Sequence, residues 1–167
     1  MTNPSPAFQA VTIDPSGSIS TTGGAPVPTI GETDGNFPAG GYVGELEANY
    51  SSATGNATSG TAVNAVSAVL SPGNWDIYGL VNVSRSGITI TGIQVSISAV
   101  SATHNSTPQL VAQLNLPFTA GQPQSLAPPA WVYSSSVNFA AYVVATVTFT
   151  GTGPASVNGN IQARRAV

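Results

Sequence analysis

From Gly44 to the C-terminus, apolar and polar residues alternate with a period of two, the repeat of strands whose two faces meet different surroundings. Trp75, Ile77, Gly79, Val81 and Val83 share one phase, against Asp76, Tyr78, Leu80 and Asn82 on the other. Ile88 and Ile90 keep one phase, whereas Ile93, Val95 and Ile97 take the opposite one. The slip falls at Thr91-Gly92, where a β-bulge or a bend would return the apolar set to a single face. Leu110, Ala112, Leu114 and Leu116 alternate again, and the longest run is Val137, Phe139, Ala141, Val143, Ala145, Val147 and Phe149. After Gly151-Thr152-Gly153-Pro154 the pattern resumes in Ala155, Val157, Gly159, Ile161 and Ala163. Thr61 to Leu70 fits two periods, since Val63, Val66 and Val69 recur at three while Val66, Ala68 and Leu70 alternate. Its β-branched residues favour a strand.

Turn chemistry separates these runs. Ser71-Pro72-Gly73-Asn74, Ser84-Arg85-Ser86-Gly87 and Ala120-Gly121-Gln122-Pro123 each combine residues that preset a turn or tolerate positive φ. Strands of this length and spacing, without a convincing helical stretch, predict an all-β chain: an antiparallel β-sandwich or jelly-roll-like domain over residues 44–167. Residues 1–43 differ. Six prolines (Pro4, Pro6, Pro15, Pro26, Pro28, Pro38) sit there among Gly17, Gly23, Gly24, Gly31, Gly35, Gly40 and Gly41. Proline removes backbone donors and glycine resists ordering, so neither a helix nor a central strand is expected. That region reads as an extended, irregular N-terminal arm.

Composition sharpens the picture through what is missing. Charged residues are 5% of the chain, against roughly 25% in ordinary domains, and lysine is absent. Polar surface must come from Ser, Thr, Asn, Gln and Gly. Three arginines cannot neutralise a phosphate backbone, which argues against nucleic acid as a partner. With no cysteine, neither a disulfide nor a thiolate site is available. The stretch Trp131–Thr150 lacks Gly and Pro but is broken by Ser, Asn and Thr, so no membrane span is expected. The first residues show no basic and apolar pattern of a secretory signal, and synthesis in a cytoplasm is expected. Residues 88–100 and 137–150 carry no charge at all. Sheet edges are normally blunted by lysine, inward charges, proline or bulges, so this chain is expected to pair its edges internally or against neighbouring chains.

Candidate chemistry is sparse. His104 stands in the polar turn Ala102-Thr103-His104-Asn105-Ser106 without a carboxylate nearby in sequence, which predicts a solvated loop histidine. No G-x-S-x-G marks a nucleophile. The acids are Asp14, Glu32, Asp34, Glu45, Glu47 and Asp76; Glu45 and Glu47 share a face of the first strand. Paired carboxylates serve glycoside hydrolysis or calcium, but no calcium-loop spacing is present, and a solvated face explains them. Arg164 and Arg165 read as a solvated basic end or as an anchor to an acidic neighbour. Trp75 and Trp131 lie in strand runs and are expected in the core rather than against a sugar. Asn49, Asn56, Asn82 and Asn105 open N-x-[ST] sequons, which arise by chance in such a composition. The expectation is a non-enzymatic protein with no catalytic, cofactor-binding or metal-binding residues and no cofactor.

Two stretches carry a resemblance. Ser59-Gly60-Thr61-Ala62-Val63 leads to Leu70-Ser71-Pro72-Gly73-Asn74-Trp75-Asp76-Ile77-Tyr78-Gly79, and Val144-Ala145-Thr146-Val147-Thr148-Phe149 leads to Gly159-Asn160-Ile161-Gln162-Ala163-Arg164-Arg165. Together they resemble small bacteriophage and prophage virion structural proteins, over residues 59–167; the proline-rich 117–130 region departs from that pattern. The resemblance implies a part of a virion. Head decoration (cement) proteins of phages are commonly trimeric β-rich knobs with extended arms, so it implies a homotrimer bound to the major capsid protein on the exterior of the head. A tail-fibre or spike receptor-binding module is the alternative.

Overall fold

The computed structural model describes residues 11–13, 19–21, 46–84, 87–115, 117–118 and 122–166, with side chains from Gly55 onward. Two units are defined, Met1–Glu45 and Leu46–Val167. In the first, β1 (Val11–Ile13) pairs antiparallel with β2 (Ile19–Thr21), Ile13 opposite Ile19. The arm therefore contains a short ribbon where only irregular chain was expected. Val-Thr-Ile and Ile-Ser-Thr are strand formers on either side of Pro15 and Gly17, and a two-stranded ribbon has edges but no central strand. The rest of that arm lies outside the described residues.

The second unit is an antiparallel β-sandwich. Its strands are β3 (Leu46–Ala57), β4 (Ala62–Leu70), β5 (Gly73–Ser84), β6 (Ile88–Ser98), β7 (Val111–Leu114), β8 (Gln124–Leu126), β9 (Trp131–Ser135), β10 (Phe139–Gly151) and β11 (Ala155–Arg165). One sheet runs β4-β10-β6-β7, the other β3-β11-β5-β8, and β9 also pairs with β5. β8 lies opposite Val81–Val83 and β9 opposite Gly73–Ile77, so the two share one edge of β5 and form a single interrupted strand. Ala127-Pro128-Pro129-Ala130 makes the interruption, because proline cannot donate to the ladder. With β8 and β9 counted together, the sheets read first-eighth-third-sixth and second-seventh-fourth-fifth in chain order. That is a jelly roll, two interlocked Greek keys. The closing pair β10–β11 lies between β3–β4 and β5–β6 in both sheets.

Alternation becomes burial. On β5, Trp75, Ile77, Val81 and Val83 are fully buried, and on β11 so are Ala155, Val157, Ile161 and Ala163. Each buried Ile or Val contributes about 1.5–3 kcal/mol relative to exposure. Two inward glycines set how closely the sheets approach. A Cβ on Gly79 would stand 2.9 Å from Val143 Cγ2 and 3.3 Å from Pro128 Cγ. One on Gly159 would stand 2.8 Å from Ala65 Cβ.

The slip in β6 is a bulge, as its phase requires: Thr148 faces Gly92 and Phe149 faces Ile90, leaving Thr91 without a counterpart. Its hydroxyl donates to Thr148 O at 3.2 Å. A second bulge explains the mixed period of β4. Val143 faces Val66 and Val144 faces Asn64, so Ala65 is the extra residue, and Ala65 and Val66 are consecutively buried.

One strand boundary needs correction. Val137 does not extend the β10 face; it lies in the β9–β10 bend, 65% exposed, and Ser135 Oγ donates to its carbonyl. Leu110 belongs to a 3₁₀ turn (Pro108–Leu110) ahead of β7, packed with Ala112 against the core, and Leu116 lies outside the described residues.

Candidate functional site

The outward phase of a half-buried sheet is normally polar and wet. On the β4-β10-β6-β7 sheet the middle of that face is covered: Val144 and Ser96 are completely buried and Ser98 nearly so. Val144 faces Ser96 on one side and Asn64 on the other. The β6–β7 connection, 99–110, is tied down on both of those neighbours. Ala102 N–H donates to Asn64 Oδ1 at 2.6 Å, and Asn64 Nδ2 donates to Ser101 Oγ at 2.7 Å. Asn105 N–H donates to Ser96 Oγ at 3.1 Å, and Asn105 Nδ2 to Ile97 O at 3.0 Å. The connection thus folds back across β6, β10 and β4 and closes over Val144.

His104 is the centre of this cover. Nδ1 lies 2.9 Å from Ser96 Oγ, and Nε2 lies 2.8 Å from Thr146 Oγ1 on β10. Hydrogen-bond inventory selects the tautomer. Of the two partners of Ser96 Oγ, the Asn105 N–H can only donate and Nδ1 can accept, so the hydroxyl proton goes to Nδ1 and Nε2–H donates to Thr146. The reverse tautomer would leave the proton of a fully buried hydroxyl without a partner. Burial holds the imidazole below its ordinary pKa of 6.5, because desolvation disfavours the cation. His104 is therefore a structural bridge and not the solvated loop residue that its sequence context predicts.

A serine hydroxyl on an imidazole nitrogen is also the first half of a nucleophile–base pair. The arrangement here lacks the rest. Ser96 is inaccessible, its oxygen already accepts the Asn105 N–H, and the far side of the ring meets a threonine instead of a carboxylate. Asp76 sits on the opposite sheet with Arg164 as its register partner. Asp14, Glu32, Asp34 and Glu45 lie outside the described residues, as does the side chain of Glu47. No group of three His, Cys, Asp or Glu side chains among the described residues is placed to hold a metal ion.

Arg165 is used inside the domain. Its guanidinium donates to Pro72 O and Ser71 Oγ, both at 2.9 Å, and stacks 4.4 Å from the centre of the Trp75 ring. Trp75 Nε1 in turn donates to Ser71 O at 3.0 Å. The last strand so clamps the β4–β5 turn. Trp131 is in the core, as expected, and packs on Tyr133. On the outer face of the other sheet, Asn82 Nδ2 donates to Asn158 Oδ1, and Ser125 Oγ donates to Asn82 Oδ1. Two of the four sequon asparagines, Asn82 and Asn105, are thus engaged in holding strands and loop.

No protein-family model matches the sequence, and no curated protein matches it. Among solved structures, the fold is similar to a chain in the structure of infectious bursal disease virus, Gx strain, at 14% identity and a TM-score of 0.39. That match covers 83% of this chain and 37% of the other, so this chain spans little more than a third of its length.

Proposed function

We propose that this chain is a structural protein of a bacteriophage virion: a trimeric decoration protein that binds the major capsid protein on the exterior of the head and stabilises the shell. The observation that carries the reading is the chemistry of the sheet edges. β4 and β7 border one sheet and β8 and β9 border the other along β5, and none of these strands contains a charged residue, whereas β3 on the remaining edge carries Glu47. Val69 on β4 and Val132 on β9 are 69% and 71% exposed. Uncharged edges with outward valines recruit further chains, which suits a protein that works as an assembled copy on a lattice. The sequence resemblance to phage structural proteins supports the virion, and the trimer and the head come from that class. Jelly rolls also serve lectins and cupins, so the fold by itself favours none of these roles.

The second reading is a tail-fibre receptor-binding module. Its support is Tyr78, 46% exposed and facing Gln162 across the register, with Leu80 facing Asn160 beside it. An aromatic face among amides suits a glycan. The two are separated by adding purified chain to heads that lack it. Decoration predicts a trimer by native mass spectrometry, saturable binding, and a higher temperature of genome release. A failure to bind heads, together with retention on host cell-surface glycan, replaces it with the fibre reading.

A further inference from the structure

We propose that His104 is an acid-sensitive latch: as the neutral imidazole it fastens the 99–110 connection over the outer face of the four-stranded sheet, and its protonation releases that connection. The inference is independent of the virion reading, because it rests on the bonds the ring makes.

The neutral ring is matched to both of its partners. Nδ1 accepts from Ser96, whose oxygen also takes the Asn105 N–H, and Nε2–H donates to Thr146. A second ring proton would have to sit on Nδ1, where the Ser96 proton already points. Among the described residues, Nδ1 is the acceptor paired with that hydroxyl, so Ser96 would have to turn its proton into a fully buried site.

Nothing nearby compensates the charge. Ser96 and Gln94 face the covered side from β6, Thr146, Val144 and Tyr142 from β10, Asn64 from β4, and Val111 and Gln113 from β7. The sequences of β4, β6, β7, β10 and the 99–110 connection contain no Asp, Glu, Lys or Arg; Tyr142 is the one other titratable side chain in them. A cation on His104 would be the first charge placed on this sheet, in a half-buried position. In the released connection the ring regains water and titrates near its ordinary value. Protons therefore favour release below about pH 6.5.

The geometry also says what moves. Bonds from Ala102 and Asn105 end on Asn64 and Ser96, so loss of the His104 bridge removes the tie between the two flanks of the cover and exposes Val144. The β10 ladder beneath is held by its own backbone pairing and stays.

Hydrogen exchange on the full chain tests this between pH 7.5 and 5, with rates corrected for intrinsic pH dependence. The protection factors of Ala102 and Asn105 should fall by up to about tenfold per pH unit below about 6.5, while those of β10 stay constant. In His104→Gln the pH dependence should vanish. The ring ¹⁵N shifts of the wild-type protein give a reading that needs no variant: Nε2–H at neutral pH and a titration midpoint below 6.5. Constant protection of Ala102 and Asn105, a parallel loss in β10, or a midpoint at or above 6.5 would each overturn the latch.

Discussion

Replacing Gly159 by alanine probes how closely the two sheets of the sandwich approach. The new Cβ would stand 2.8 Å from Ala65 Cβ, 3.0 Å from Val66 Cγ1 and 3.1 Å from the Ala65 carbonyl carbon. Carbon atoms pack at about 3.5–4.0 Å, so the β4 bulge would have to retreat by roughly 0.7 Å or more. Ala65 has no rotamer with which to yield, and its neighbours Asn64 and Val66 are both paired to β10. Overpacking of this kind costs about 1–3 kcal/mol. The gain from a stiffer unfolded chain is about 0.4–1 kcal/mol, leaving a net loss of about 1.3 kcal/mol at the midpoints. For a domain of this size that lowers Tm by about 4–8 °C. Differential scanning calorimetry reads it, with Gly55→Ala as the control, since nothing lies within 4 Å of that position. Adding Ala65→Gly should recover part of the loss, a coupling of more than about 0.5 kcal/mol. If Gly159→Ala melts at or above the wild-type temperature, or the two changes simply add, the inter-sheet contact has been misread.

Three further outcomes follow from the same geometry. Arg165→Met should cost about 1–2 kcal/mol in urea unfolding through loss of the turn clamp and the Trp75 stack. Arg165→Lys should restore less than half of it, because an ammonium cannot form the planar fork and stack at once. The lowered pKa of His104 fixes the sign of a pH effect. Its contribution is fully present above about pH 6.5, the unfolded value, and shrinks as pH falls toward the folded value; the urea midpoint should drop from pH 7 to 5 in the wild type and less in His104→Gln. Lysine at both Val69 and Val132 should shift the chain toward monomer in sedimentation velocity with its far-ultraviolet spectrum kept; an unchanged mass would exclude these edges as the interface.

Much of the sandwich was legible because period-two burial is local. The phase of Trp75–Val83 and the bulge at Thr91 follow from side-chain alternation alone, and the structure buries that apolar set. The mixed period of β4 hid a bulge, because Ala65 looks the same on either phase. Strand order was not legible. Inserting β10–β11 between earlier pairs depends on contacts far apart in sequence, which no local pattern reports. His104 was misread for the same reason. Its partners lie 8 and 42 positions away and look like ordinary outward Ser and Thr. A signal did exist: Val144 is apolar on the outward phase of β10, where an open sheet face calls for a polar residue. Arg165 reads in sequence as a solvated end or as an anchor to an acidic neighbour, whereas its partners are a carbonyl and a hydroxyl of Ser71-Pro72 in a turn more than 90 positions away.

The central claim, a decoration protein of the head, is tested most directly by copy number. Quantitative mass spectrometry of purified particles should give this chain at a ratio on the order of one per major capsid subunit, as lattice-wide decoration by uncharged, partner-seeking edges requires. A handful of copies per particle would contradict decoration and move the chain to the tail, and its absence from the particle would contradict the virion assignment.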